Sequence, residues 1–231
     1  MRRLGAHTLI PQAAMAALLH LEHTRRSLEP GQFIARDAEP ARFCFLLVAG
    51  FAMRHKIVSG GRRQILSVDL SGDVLNLDAL YAGSCDYNVQ ALSACTIVEI
   101  DRVALLEVLA SHVSISQALA LELVRQSAIY REWLANLGSR DARTRVAHLL
   151  CEIGMRLERA DLSDRHSYEL PMTQEQLADA MGLSLIHIAR TLKALEAEGL
   201  IGRERRAIQV GDWERLKSAG DFNPFYLSLA E

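Results

Sequence analysis

The chain has 231 residues, half of them hydrophobic and 23% charged, with a formal net charge of -2. That length holds two domains of ordinary size, each with its own core, and the composition is that of a globular protein. No apolar run approaches the ~20 residues that cross a bilayer, so no membrane partner and a cytoplasmic location are expected. The near-neutral balance does not advertise a nucleic-acid binder, and any DNA-facing potential has to come from local clustering.

The N-terminus MRRLGAHTLIPQ opens on two arginines, but Ala13 to Leu21 is amphipathic and lacks a small-residue cleavage site. Pro11 to about His23 is predicted to be a short helix with Leu18, Leu19 and Leu21 inward. From Arg25 to Asp101 the pattern changes to short β-forming runs, FIAR, FCFLLVAG, FAMRHKIV, RQILSVDL, YNVQAL and TIVEID, separated by Pro-Gly, Gly-Gly and Ser-Gly signals. Strands at that spacing suggest an antiparallel sandwich or roll. The cysteines, Cys44, Cys85, Cys95 and Cys151, are scattered without C-x-x-C spacing and read as reduced, buried thiols.

Asp101 can cap a helix through Leu109, and a second helix is predicted from Val113 to Leu137. Along it Ser116, Leu119, Leu123, Gln126, Tyr130, Trp133 and Leu137 alternate spacings of three and four, the seam of a coiled coil. The competing reading is a helix packed on its own domain. The helix is long enough to be sided, with Leu121, Val124, Ala128 and Leu134 as another face, so that one side can meet the β-roll and the other a second copy of the chain. A homodimer is predicted. Gly138-Ser139 interrupts the apolar periodicity and reads as a hinge. A helix from Asp141 to Arg159 follows, with Val146, Leu149, Leu150, Ile153 and Leu157 inward, then a polar loop from Asp161 to Ser167 and a strand, YELPM.

Thr173 followed by Gln176 is a capping-box start. Leu177, Ala180 and Met181 give that helix an apolar stripe, and Gly182 ends it. Ser184 caps a second helix in which Ile188, Leu192 and Leu195 face inward while Ile186, Arg190 and Lys193 fall opposite. Small Ala178, a glycine turn and a buried Ile188 suit two helices that cross steeply, a helix-turn-helix. An ordinary helical hairpin has no reason to display Arg190 and Lys193 beside a solvent-facing Ile186. The chain then runs into RERRAIQV, a basic turn and short β-run, which makes a winged arrangement with Arg203, Arg205 and Arg206 near phosphates. Two symmetric recognition helices match a pseudo-palindromic operator with half-sites about one helical turn apart, ~34 Å.

The run TQEQLADAMGLSLIHIARTLKALEAEGLI resembles the C-terminal domain of the Crp/Fnr superfamily of bacterial transcription regulators, and FCFLLVAGFAMRHKI resembles a hairpin of its N-terminal domain. The resemblance implies an α+β protein: an N-terminal antiparallel β-roll (a double-stranded β-helix, cyclic-nucleotide-binding-like), a long dimerisation helix and a C-terminal winged helix-turn-helix. The expected domains are a sensor-like β-roll with flanking helices over 1–112, dimerisation helix and hinge over 113–138, the DNA-binding domain over 139–220 and a tail over 221–231. Double-stranded DNA, a second copy of the chain and RNA polymerase are the implied partners. Carried over position by position, Leu185, Ile186 and Arg190 meet base edges, with Arg190 the natural bidentate partner of guanine. Ile186 stands where several members have a glutamate; it can touch a thymine methyl but cannot accept from cytosine. Ser184, His187, Thr173 and Gln174 fall where phosphate oxygens are expected.

Cyclic-nucleotide binders of the superfamily hold the phosphate with a Gly-Glu turn and an Arg-Ser pair. Here SGDVLNLDALYAGSCDYNVQAL keeps Gly72-Asp73 but has Asn76-Leu77 and Asp86-Tyr87 at those two places. A carboxylate where a cation is needed disfavours an anion, so cyclic AMP is not expected and no cofactor is predicted. Gly72, Asp73, Asn76, Asp78, Asp86, Tyr87 and Asn88 either line a pocket for another small-molecule effector, whose identity stays open, or are plain loop residues. An iron-sulfur sensor needs closely spaced N-terminal cysteines, which are missing. For haem, the isolated His7, His20, His23 and His55 supply candidates and read as structural or exposed. An enzyme is not expected: there is no His-x-His for a cupin metal, no nucleophile with an obvious base and no phosphate-cradling glycine loop. The alternative function is a cytosolic small-molecule-binding module whose helix-turn-helix makes protein contacts.

Overall fold

The computed structural model describes residues 10–228, so His7 lies outside the described residues. The chain divides into two compact units, one reaching Gly61 and resuming at Leu66–Ser127, the other Arg62–Ile65 with Ala128–Ser228.

In the first unit helix α1 (Gln12–His20) precedes strands β1 (His23–Leu28), β2 (Phe33–Ala35), β3 (Phe43–Ala49), β4 (Phe51–Ile57) and β5 (Arg63–Leu70). Helix α2 (Leu77–Ala82), strands β6 (Asn88–Ala91) and β7 (Cys95–Asp101), helix α3 (Arg102–Ser111) and the long helix α4 (Val113–Ser139) follow. The strands form two sheets, ordered β1-β7-β3 and β2-β6-β4-β5. Their inner faces meet in a core that includes Leu47, Ala52, Val89, Ala91 and Ile97. Gly50 makes the β3–β4 turn at φ +83°, where an added Cβ would lie 2.4 Å from the Ala94 carbonyl oxygen; only glycine fits there. All four cysteines are buried and free. Burial pushes the thiols of Cys44 and Cys151 up to about 12 and that of Cys85 to about 11, so they are inert at neutral pH.

Several expectations are corrected here. Helix α1 stops at His20, and Leu19 points outward at 58% exposure while Ala14 is the buried residue. Strand β1, HTRRSL, has no β-alternation because five of its six residues are exposed; it is held by pairing with β7, His23 opposite Ile100 through Leu28 opposite Cys95. The expected strand over YELPM is shorter and begins earlier, at Ser167.

Asp101 caps α3 by accepting from the amides of Val103 and Ala104, after which the chain bends by 116° into α4. The predicted coiled-coil seam of α4 proves to be its inward face. Leu119 is buried with Leu105, Leu109 and Ile115 against the sheet, with Leu123 beside them. Gln126 accepts from Arg54 at 2.9 Å and donates to the Val74 carbonyl at 3.2 Å, and Trp133 is buried. The outward stripe is Val113, Gln117, Ala120, Val124, Ser127, Arg131 and Leu134, all exposed and again spaced by four and three. Periodicity sees both stripes and cannot say which one its own chain covers. Ala128, read as part of another face, is buried. Gly138 and Ser139 continue the helix instead of interrupting it, and the break comes at Arg140. Among the described residues no single helix is long and apolar enough to cross a membrane.

In the second unit Asp141 caps helix α5 (Ala142–Arg159), accepting from the Thr144 amide at 2.8 Å, and that bond holds its carboxyl below the ordinary range. Val146, Leu149, Leu150, Ile153 and Leu157 are buried as the spacing predicts. Strands β8 (Ser167–Glu169), β9 (Ile201–Glu204) and β10 (Ala207–Val210) form a sheet ordered β8-β10-β9. Helices α6 (Gln174–Met181) and α7 (Leu185–Ala197) lie between β8 and β9 in the chain. The unit ends with helix α8 (Trp213–Ala219), capped by Asp212, and a 3-10 turn, Pro224–Leu227. Neither of these last elements is anticipated by the sequence pattern, and Phe222, Tyr226 and Leu227 are buried.

Candidate nucleic-acid interface

The helix-turn-helix is built by local signals that agree with one another. Thr173 accepts from the Gln176 amide at 3.2 Å while the Gln176 side chain accepts from the Thr173 amide at 2.8 Å, a complete capping box. Gly182 closes α6 at φ +63°, a left-handed conformation that glycine adopts without a Cβ penalty. Ser184 then caps α7 through the His187 amide at 3.2 Å. Ile188, Leu192 and Leu195 anchor α7 in the core at 0–1% exposure, with Thr191 buried beside them.

That anchoring leaves the other side of α7 in solvent. Leu185 is 53% and Ile186 67% exposed, and His187, Arg190 and Lys193 are exposed with them. Two apolar side chains at the start of a solvent-facing helix are costly unless something covers them. An open groove of about 560 Å³ runs between the N-terminus of α5, at Asp141 and Arg143, and Ser184, Ile186, His187 and Arg190 of α7. Thr173 and Gln174 are exposed at the start of α6, so the capped N-termini of α6 and α7 both turn a positive dipole end to solvent, where an anion is favoured.

The three wing arginines separate. Arg205 and Arg206 form the turn between β9 and β10 and are exposed, Arg205 at φ +55°. Arg203 turns inward. Its guanidinium meets both carboxylate oxygens of Glu196 on α7, at 2.8 and 2.9 Å, and holds the Glu196 carboxyl below its usual range. Arg143, which no motif marks, pairs in the same way with Glu198 past the end of α7. Arg145, equally unmarked, donates to the Met181 carbonyl at the end of α6 and to the Arg140 carbonyl at the end of α4. No one-dimensional pattern signals such long-range ties.

Residues 25–112 match the cyclic nucleotide-binding domain, and residues 144–219 match the Crp-like helix-turn-helix domain. The chain belongs to the Crp/Fnr family. It is 28% identical to the transcriptional activator protein FnrL of Cereibacter sphaeroides over 85% of this chain and 80% of that protein. It is 24% identical to the nitrogen fixation regulation protein FixK of Bradyrhizobium diazoefficiens, over 88% and 85%. The solved structure of FixK2 from Bradyrhizobium japonicum superimposes with a TM-score of 0.79 at 26% identity, covering 86% of this chain and 98% of that one.

In this Crp/Fnr chain the seven residues proposed for an effector have separate tasks. Asn76, 1% exposed, accepts from the Phe45 amide and donates to the Phe43 carbonyl, standing in for a strand partner of β3. Gly72 turns the chain at φ +95°; Asp73 accepts from the Leu70 amide at 2.7 Å and pairs with Arg125 at 3.0 Å. The Tyr87 hydroxyl donates to Asp78 at 2.5 Å, and burial raises its pKa. Asp86, 80% exposed, pairs with Lys56 at 2.7 Å and raises the lysine's pKa. Asn88 accepts from the Asp37 amide. The cation inside the roll, Arg54, is absent from the residues expected there; its side chain is 1% exposed and pairs with Asp69 at 2.9 Å. Arg54 also donates to Gln126 and to the Val74 carbonyl, and lies 5.7 Å from the centre of the Tyr87 ring. In FAMRHKI it is followed by His55 and Lys56, and nothing in that basic run marks Arg54 as buried.

Proposed function

We propose that this Crp/Fnr chain is a sequence-specific, DNA-binding transcription regulator and not an enzyme. In this reading it acts in the cytoplasm as a homodimer on a pseudo-palindromic operator, with RNA polymerase as the further partner. The carrying observation is the exposed front of α7, Leu185, Ile186, His187 and Arg190, at the helix's own Ser184-capped N-terminus. Leu185 and Ile186 supply the apolar contacts that a thymine methyl rewards, and Arg190 the fork that fits guanine. The exposed heptad stripe of α4, with Val113 67%, Val124 47% and Leu134 72% exposed, supports a second copy of the chain as the dimer partner.

A cyclic nucleotide does not fit the residues present. Of the residues in the phosphate stretch, Asp86 is a carboxylate paired to Lys56 at the surface. The interior guanidinium, Arg54, already has its charge met by Asp69, and an incoming phosphate would have to displace that carboxylate. The reading therefore sets cyclic AMP aside as the effector of this regulator.

Selection of DNA from a random pool by the full chain tests the reading. Enrichment of an inverted repeat with half-sites about one helical turn apart, ~34 Å, is expected. No enrichment at low salt, where phosphate contacts are strongest, would overturn it.

A further inference from the structure

The segment after α8 lies past the stretch that matches the helix-turn-helix domain, which stops at residue 219, yet its aromatic rings close on a carboxylate. Glu152 on α5 is 0% exposed. It receives the Tyr226 hydroxyl at 2.7 Å, the indole N–H of Trp133 at 3.1 and 3.2 Å, and Arg156 at 3.2 Å. A carboxylate taken out of water persists only where such donors replace its hydration. Glu152 therefore joins three pieces of chain, the last part of α4, helix α5 and the C-terminal segment.

A second tie lies beside it. His148, 1% exposed, has Nδ1 3.0 Å from the Gly220 carbonyl oxygen and Nε2 3.3 Å from the Tyr226 hydroxyl. Since a carbonyl only accepts, Nδ1 carries the proton of the neutral ring. Phe222 meets that ring edge-on at 5.1 Å and Tyr226 stacks on it at 6.0 Å. Gly220 lies so close to α5 that a Cβ there would be 2.7 Å from the His148 amide nitrogen. At the surface Arg140, just past α4, pairs with Glu132 at 2.7 Å and with Asp221 at 3.0 Å.

We propose that the segment from Gly220 to Ser228 is a positioning element for DNA reading: through Tyr226 and Glu152 it fixes the direction in which α5 leaves the end of α4. Because α7 packs on α5, that direction sets where the recognition helix points. In a dimer both recognition helices must reach successive half-sites at once, so a small angular error is felt twice. The inference rests on the DNA-binding reading above and adds Tyr226, Glu152 and Trp133 as residues that act through α5 without touching DNA.

The test uses the full chain and the operator obtained by selection. Tyr226→Phe keeps the ring and its stacking and deletes the hydroxyl. At a temperature where circular dichroism and sedimentation show it as folded and as dimeric as wild type, its operator Kd is expected to rise about tenfold, equivalent to about 1.4 kcal/mol. Added to Glu152→Gln, the same change is expected to cost nothing more, because the two side chains act as one unit. Asp221→Asn, at an exposed position whose left-handed backbone asparagine tolerates, serves if Tyr226→Phe folds poorly, with an expected rise of about threefold. Wild-type Kd in the folded variants, with only a lowered melting temperature, would overturn the proposal and leave the segment a stabiliser. If the wild-type chain itself selects no sequence, the regulator reading fails and this inference with it, so the wild-type control separates the two failures.

Discussion

The guanidinium of Arg203 grips the carboxylate of Glu196 with two parallel hydrogen bonds of 2.8 and 2.9 Å, latching the wing strand β9 to the recognition helix α7. The latch gives the wing arginines different roles. Arg203→Ala is expected to cost under about 1 kcal/mol of stability, as a partly exposed pair does, and to leave the salt dependence of operator binding unchanged. Arg205→Ala or Arg206→Ala is expected to lower the slope of log K against log salt by about 1 each. A slope that drops with Arg203→Ala instead would show that the latch opens on DNA.

Arg190 is exposed on the front of α7. Its replacement by alanine is expected to cost about 1–3 kcal/mol of specific binding and to relax the preference at one guanine. Binding measured across single-base variants of the operator checks this, and equal weakening on every variant would sink the base-reading role. Ile186→Glu is expected to shift preference towards cytosine at its contacted base, because a carboxylate accepts from the cytosine amino group.

The recognition half of the molecule was legible because local rules are sufficient there. The Thr173–Gln176 box, Gly182 and Ser184 each act within four residues, and all three form as their spacing predicts. Elements held by distant partners were not legible in the same way. Strand β1 has polar side chains on both faces and exists through its ladder with β7, about seventy residues away. The packing partners of the buried Phe222 and Tyr226 cannot be read from the sequence, since nothing nearby announces His148 or Glu152. The stripe of α4 read as a seam is covered by its own chain for a related reason: both stripes carry the same spacing, and packing by distant partners, the roll at Leu119 and Glu152 at Trp133, distinguishes them.

That distinction is testable with two substitutions on one helix. Val124, 47% exposed, belongs to the outward stripe, whereas Leu119, 4% exposed, belongs to the core. Val124→Glu is expected to leave the chain folded and shift its sedimentation to the monomer, because like charges would face each other across a two-fold seam. Leu119→Ala is expected to cost about 2–5 kcal/mol of folding stability. A dimer that survives Val124→Glu would move the interface off this stripe.

Inside the roll, Arg54 and Asp69 are buried as an ion pair at 2.9 Å. Removing one partner deprives the other, buried charge of this ion pair, so Arg54→Met is expected to destabilise by about 3–5 kcal/mol, while adding Asp69→Leu is expected to recover most of that loss. Denaturant midpoints of the two variants decide it. If the double variant were as unstable as the single, the other bonds of Arg54, to Gln126 and the Val74 carbonyl, would be the ones that matter.

Burial holds the pKa of His148 below its ordinary value, with Arg140 pushing the same way and Glu152 and Glu132 opposing. The Tyr226 hydroxyl also faces the ring. The folded chain therefore binds fewer protons at this site than the unfolded chain. Its contribution to stability is fully present above the unfolded value, about 6.5, and is lost as the pH falls from there towards the depressed folded value. His148→Gln keeps a side chain that can donate to the Gly220 carbonyl but cannot titrate. Thermal unfolding of the two proteins between pH 7.5 and about pH 5 is expected to show a steeper decline for wild type. Parallel curves would mean that the carboxylates around it, and not the imidazole, set the acid sensitivity of this unit.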